Sequence, residues 1–233
     1  MPDSDVLMAA FRVIERVGPN KLTLSDVARE SGLSPATLLQ RFGSKRGLLL
    51  AAAQLGADGM DQCFAQVRAA HPTPLAALLA AFEHSASFAT TPEAMANSLA
   101  FLQIDLTDPD FHRLAVAGSR AMIAGYRALL DEAVSKRELV RCGTGRLARA
   151  LHAASSGSML TWAILREGSC VEWVRNDMEA LLEPYRRKAR ESGSRGVRES
   201  GTREPRVPAR INDGSREKKK RRGGKKTSGR PIR

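Results

Sequence analysis

The chain has 233 residues, which at roughly 100–200 residues per domain allows one or two domains with room for a buried core. Its +12 formal charge is uneven: residues 186–233 hold 19 Lys and Arg against 5 Asp and Glu, whereas residues 1–185 hold 18 against 20. The near-neutral body has no apolar run close to the roughly 18–20 residues of a bilayer span, and Asp3 and Asp5 are unlike the basic start of a signal peptide. Cys63, Cys142 and Cys170 are odd in number and scattered, so neither a disulfide framework nor a zinc spacing is available. A cytoplasmic protein with reduced thiols, no cofactor and no membrane partner is expected. Gly-rich phosphate loops, His-Glu-x-x-His pairs and Gly-x-Ser-x-Gly elbows are missing, which argues against an enzyme.

From the N-terminus, Val6, Leu7, Ala10, Val13, Ile14 and Val17 fall at helical spacing until Gly18-Pro19-Asn20 stops the run. Further helices are announced by Thr23, Ser34, Thr73-Pro74, Thr91-Pro92 and Asp108-Pro109, where a short polar side chain accepts from the first free N–H groups. A following proline sits where its missing N–H costs nothing. Long periodic stretches predict helices over about 44–70, 109–135, 145–166 and 171–190. No alternating strand or internal repeat is visible, so the fold class is all-α.

Residues 22–49 are the informative stretch. Thr23 and Asp26 make a capping box for a short helix, Leu24 to Ser31, and Gly32 suits a left-handed turn. Ser34-Pro35 opens a second helix through about Arg41, and Gly43 closes it. Val27, Leu33, Leu38 and Phe42 supply a three-helix core, with small Ala28 where the helices cross. The pattern is that of a helix-turn-helix, with a plain helical hairpin as its competitor. At about 100° per residue, inward Leu38 and Phe42 turn Ala36 and Gln40 outward, flanked by Thr37 and Leu39. This short, small face suits the major groove, and Gln pairs with an adenine edge. Ser44-Lys45 starts the next helix with a positive end suited to phosphate.

The run from Leu24 to Lys45, LSDVARESGLSPATLLQRFGSK, resembles the DNA-binding domain of the tetracycline-repressor (TetR) family in its caps, turn glycine, core and Phe-x-Ser-Lys junction. The resemblance covers roughly residues 5–50. Weaker likenesses link Ser98 to Phe111 with the mid-domain of actinobacterial-type members and Gly157 to Tyr185 with their dimerising C-terminal helices. The resemblance implies a homodimeric regulator that binds a two-fold DNA operator and releases it when an unidentified small-molecule effector binds. On that basis the expected DNA-binding residues are Thr23, Ser34, Pro35, Ala36, Thr37, Leu39, Gln40, Arg41 and Lys45. Leu39 departs from the family's usual Tyr, and Gln40 from its frequent His, so a phosphate contact from a hydroxyl at position 39 does not carry over.

The implied division is a DNA-binding domain over 1–47, a helical effector-binding and dimerisation domain over 48–188, and a disordered basic tail over 189–233. Small residues Ala150, Ala154, Gly157 and Thr161 form one stripe, and Val171, Val174, Met178, Leu181 and Tyr185 an apolar one. Spacing fits a four-helix interface between subunits as well as a private core, and the resemblance favours the interface. Phe82, Phe88, Met95, Phe101, Gln103, Met122, Tyr126 and Trp162 mix apolar walls with a few polar groups, the composition of a ligand site and equally of a core. His71, His84, His112 and His152 share no metal-ligand spacing and read as isolated helix or surface residues.

The tail is sparse in apolar residues and ends in basic clusters, Lys218 to Arg222 and Lys225-Lys226, so it suits a non-specific DNA arm. Within it, Gly229-Arg230-Pro231 resembles an AT-hook core, with Ser228 where another Arg usually stands. The alternative to a sequence-specific regulator is therefore a nucleoid-type DNA binder of low specificity driven by the tail. RNA and anionic membranes attract the same charges.

Overall fold

The structure, a computed structural model, describes residues 1–187. The expected basic tail and its Gly229-Arg230-Pro231 lie outside the described residues. Within them are ten α-helices: α1 Asp3–Lys21, α2 Leu24–Ser31, α3 Pro35–Phe42, α4 Lys45–Asp58, α5 Met60–Ala70, α6 Pro74–Ala86, α7 Pro92–Thr107, α8 Pro109–Ser135, α9 Thr144–Leu165 and α10 Cys170–Leu182. A 3-10 turn, Glu183–Tyr185, follows α10, and the only β pairing among the described residues is an isolated bridge between Leu139 and Arg186. The all-α expectation holds.

The start signals act as anticipated. Thr23, Ser34, Thr73, Thr91 and Asp108 each accept a backbone N–H in the first turn of the helix they precede. Ser169 and Glu172 add a capping box at α10. Gly18 breaks α1 with φ +78°, ψ 160°, a conformation that side chains with a Cβ avoid. Pro19 follows it and cannot donate to the Glu15 carbonyl four residues back. The amide of Asn97 on α7 fills that gap, its Nδ2 donating to the Glu15 carbonyl at 2.9 Å. A feature local to α1 thereby becomes a contact with α7.

Two predicted boundaries require correction. The single helix expected over 44–70 is divided at Gly59, where a turn separates α4 from α5. The helix expected to reach residue 190 ends at Leu182, because Pro184 lacks the N–H that continuation needs and the chain tightens into the 3-10 turn.

Two apolar clusters organise the helices. Val6, Ala10, Val13, Val27, Leu38, Leu48 and Ala52 join α1 to α4, and Phe111 of α8 is buried among them. Phe82, Tyr126, Leu130, Leu151, Trp162, Val174 and Met178 anchor the second cluster between α6, α8, α9 and α10. The long helix α8 touches α4, α5, α6, α7 and α9, and so links both clusters. Arg68 on α5 donates to both carboxylate oxygens of Glu132 on α8 at 2.7 Å, fixing the register of that pair.

Candidate nucleic-acid interface and effector cavity

The α2–α3 unit is built by local bonds. Asp26 N–H donates to the Thr23 hydroxyl at 3.1 Å, and Thr23 N–H donates to the Asp26 carboxylate at 3.1 Å. Gly32 takes φ +71°, and Leu33 N–H returns to the Ala28 carbonyl at 2.9 Å, which turns the chain into α3. Ser34 caps α3 by accepting from Thr37 N–H at 3.1 Å. Leu38 is fully buried, and Phe42 packs partly against the same core.

The opposite side of α3 is open. Pro35, Ala36, Leu39, Gln40 and Arg41 are exposed, Leu39 to 52%. Thr37 is half-buried, with its hydroxyl 2.8 Å from that of Ser34, so it completes the cap as well as bordering the face. Arg41 donates to the Met1 carbonyl at 3.1 Å and to the Asp3 carboxylate at 3.3 Å, which directs it along the N-terminus. Lys45 donates to the Asn20 carbonyl at 2.8 Å, closing the end of α1. Ser44 caps α4 through Gly47 N–H at 3.0 Å. The result is an uncharged, short-side-chain helix face with basic residues at its rim and no acidic group on α3.

Of the candidate pocket residues, four belong to packed core. Phe82 stacks on Tyr126 at 4.1 Å between ring centroids, Phe64 meets Tyr126 edge-on at 5.3 Å, and Met95 and Trp162 are buried. Trp162 Nε1 donates to the Gly168 carbonyl at 3.1 Å. Gln103 is exposed and borders neither of the cavities described next. Phe88, Phe101 and Met122 do line open space. One cavity of about 320 Å³ lies between α1, α4, α7 and α8, with Phe11, Gly56, Phe101, Asp105, Gly118, Met122 and His152 in its wall. A second, of about 270 Å³, shares Phe11 and Phe101 and adds Ile14, Glu15, Phe88 and Ser98. Phe11, Glu15, Asp105 and His152 escape sequence reading because the α1–α7 contact creates this space and no local pattern announces it. Burial pushes Asp105 up to about 6, partly offset by His112, and pushes Glu15 up, partly offset by Arg12. It pushes His152 below the usual imidazole range.

The expected interface stripes divide. Ala150, Gly157 and Thr161 are exposed on α9 and Ala154 partly so, and a Cβ placed on Gly157 would meet nothing within 4 Å. Leu160, Ile164 at 78% and Leu181 of α10 are exposed beside them. Tyr185 is half-buried, whereas Val174 and Met178 have 0% exposure. Those two turn into the chain's own core and cannot touch a partner subunit, because α10 packs that side on α6 and α9.

An N-terminal helix-turn-helix with an open second helix, carried on an all-helical body, defines a DNA-binding transcriptional regulator. Residues 6–52 match the family described as bacterial regulatory proteins, tetR family. The HTH-type transcriptional regulator BetI of Agrobacterium fabrum is 34% identical over 143 residues, spanning 60% of this chain and 68% of that protein. The TetR transcriptional regulator SCO0520 of Streptomyces coelicolor shares the fold at TM-score 0.63 and 22% identity, over 81% of this chain and all of that one. FadR of Bacillus subtilis, solved in complex with stearoyl-CoA, shares it at TM-score 0.57 and 15% identity, over 77% and 97% of the two chains. The chain belongs to the TetR family of transcriptional regulators.

Proposed function

We propose that the protein is a repressor that binds a two-fold operator as a homodimer and leaves it when a small molecule fills the cavity beneath its DNA-binding domain. The observation that carries this reading is the position of the cavity. Its wall is shared by α1 and α4, which hold the helix-turn-helix, and by α7 and α8 of the body. A ligand there favours one relative placement of those helices over another, and unequal affinity for the two placements is the requirement for control. The FadR structure, a neighbour of the same fold holding an acyl-CoA, supports a ligand-responsive body.

In this reading residues 1–47 form the DNA-binding domain and 48–188 the effector and dimerisation domain. Ala36 and Gln40 enter the major groove, with Thr37 at its border. Thr23, Ser34, Pro35, Leu39, Arg41 and Lys45 surround them and meet the backbone, Lys45 exchanging the Asn20 carbonyl for a phosphate. The exposed surface of Ala150, Gly157, Thr161, Ile164 and Leu181 is the dimer contact. Recognition of a two-fold operator by such a dimer calls for reading heads about 34 Å apart, one turn of B-DNA.

Selection of bound sequences from random DNA, followed by footprinting on the enriched site, tests the reading. Two-fold related half-sites one helical turn apart, released by at least one small molecule from cell extract, support it. Sequence-indifferent binding that disappears at moderate salt would instead favour the basic C-terminal stretch, with its net +14, as the source of affinity.

A further inference from the structure

The exposed face of α3 has few groups left with which to tell one base from another. The Thr37 hydroxyl lies 2.8 Å from that of Ser34 and belongs to the cap. Arg41 is drawn to the Met1 carbonyl and the Asp3 carboxylate, and Lys45 to the Asn20 carbonyl. What stays open on the helix is one amide, Gln40, and three apolar side chains, Pro35, Ala36 and Leu39.

Leu39 is the largest of the three and is 52% exposed, whereas Leu38 beside it is fully buried. It takes no part in the core that holds α3, where Leu33, Leu38 and Phe42 do the packing. A single exposed leucine is ordinary on a protein surface, and the place of this one is what matters. At about 100° per residue, Leu39 stands about 60° round the helix from Ala36 and about 100° from Gln40. Pro35, Ala36 and Leu39 therefore make a continuous apolar strip alongside the amide. Such a strip has no N–H, O–H or charge to offer a phosphate.

The major groove limits what the strip can meet. Its base edges present donors and acceptors, and one apolar group, the C5 methyl of thymine. Covering a base carbonyl or amino group with an isobutyl side chain leaves that group unpaired, whereas covering the methyl removes two apolar surfaces from water. Ala36 lies about 5–6 Å from both Leu39 and Gln40, as residues three and four apart on a helix do. Base pairs are about 3.4 Å apart along the duplex, so the strip and the amide fall within about two base pairs of each other.

We propose that Leu39 is a specificity-determining residue that packs on the C5 methyl of a thymine, within about two base pairs of the adenine paired by Gln40. This rests on the reading of α3 as the helix that enters the major groove, and adds the base feature that its apolar strip selects. Leu39 stays at the rim of the face beside the backbone, and its branched end extends from there to the base. Each half-site then carries a thymine that is recognised through its methyl group.

Replacing thymine by deoxyuridine removes that methyl and leaves base pairing intact. On the operator enriched from random DNA, each thymine of the half-site is replaced in turn, and the affinity of the full chain is measured at one salt concentration. One position in the half-site should lose about four-fold, the effect of one buried methyl. Leu39→Ala should bind the thymine operator more weakly and be indifferent to deoxyuridine at that position, whereas Leu39→Met should remain sensitive. Leu39 lies outside the core, so both variants should keep the fold, as circular dichroism checks. A loss at no thymine, an equal loss at all of them, or an undiminished loss in Leu39→Ala would overturn the proposal and leave a two-fold operator standing. Failure to enrich any operator would overturn the regulator reading together with it.

Discussion

Arg46, in the first turn of α4, holds Asp108, the cap of α8, through two contacts from one nitrogen: its Nη2 lies 2.8 and 2.9 Å from the two carboxylate oxygens. The same guanidinium reaches Asp110 at 2.9 Å and lies over the ring of Phe111, 5.6 Å from its centroid. Asp108 meanwhile accepts from the N–H of Asp110 at 3.0 Å. One side chain, four residues beyond the end of α3, therefore grips the junction of α7 and α8. That junction lies just past Asp105 and the cavity wall, so the ion pair joins the helix-turn-helix to the wall of the cavity.

Because Arg46 and Asp108 are both partly exposed, their pairing contributes little to stability, about 0–1 kcal/mol. Arg46→Met should change the unfolding free energy by no more than that, yet reduce the effector's influence on operator affinity. Asp108→Asn keeps the cap and loses the charge, whereas Asp108→Ala loses both, so the alanine variant should be less stable by about 1 kcal/mol. Urea denaturation of the three variants, paired with operator titrations with and without effector, separates the two roles. Full induction in Arg46→Met would remove the junction from the coupling path.

Asn97 stands in for the N–H that Pro19 lacks. Asn97→Ala leaves the Glu15 carbonyl without its donor and should cost about 1–2 kcal/mol. Gly18→Ala should cost more, because it adds an unfavourable φ and sets a Cβ 2.8 Å from Asn97 Oδ1. Thermal unfolding checks both. Native stability in Gly18→Ala would show that α1 does not need this break.

Asp105 gives a pH signature. Its carboxyl is pushed up to about 6 by burial, above the 3.8 of an unfolded chain, so the folded state binds more protons between those values. Stability contributed at this position is therefore lost as pH rises from about 4 through 6. The groups facing it, His112 and His152, leave the sign unchanged, since burial outweighs the attraction of His112. Asp105→Asn should raise Tm at pH 7.5 and leave it nearly unchanged at pH 4. An equal shift at both values would mean that packing, and not charge, governs the site.

At the outer surface of α9, Gly157→Arg places a long cation on the face of Ala150, Thr161 and Ile164, and should split the proposed dimer without unfolding the subunit. Val174→Ala and Met178→Ala act on the buried side instead. They should cost about 1–5 kcal/mol of subunit stability through loss of buried volume. Light scattering and circular dichroism together distinguish the two sides. A dimeric Gly157→Arg would move the interface elsewhere.

Local chemistry was the legible part of the fold. Thr23, Ser34, Thr73, Thr91 and Asp108 announce their helices because a cap is decided within three residues of itself, and Gly32 marks its turn for the same reason. Leu38 inward and Gln40 outward follow from one short helix with one buried side. Gly59 was not legible, since the apolar spacing runs on across it. Which side of α10 is buried was not legible either, since it has apolar residues on more than one side and packing on α6 and α9 turns Val174 and Met178 inward. The cavity depends on α1 meeting α7 across more than 80 residues of chain, through Asn97 and Glu15. No spacing within either helix encodes that encounter. The pairing of Arg46 with Asp108 was hidden for the same reason.

Gln40 projects from the exposed side of α3 with no partner among the described side chains, positioned to read a base edge. Competition binding of wild type and Gln40→Ala, on the selected operator and on random DNA at a fixed salt concentration, tests the assignment of sequence reading to this helix most directly. The variant should lose about 1–3 kcal/mol on the operator, a factor of roughly 5 to 150, and almost nothing on random DNA. Lys45→Ala, by contrast, should weaken both and reduce the salt slope by about one unit. Equal losses from Gln40→Ala on the two DNAs, or none on either, would contradict the placement of α3 in the major groove.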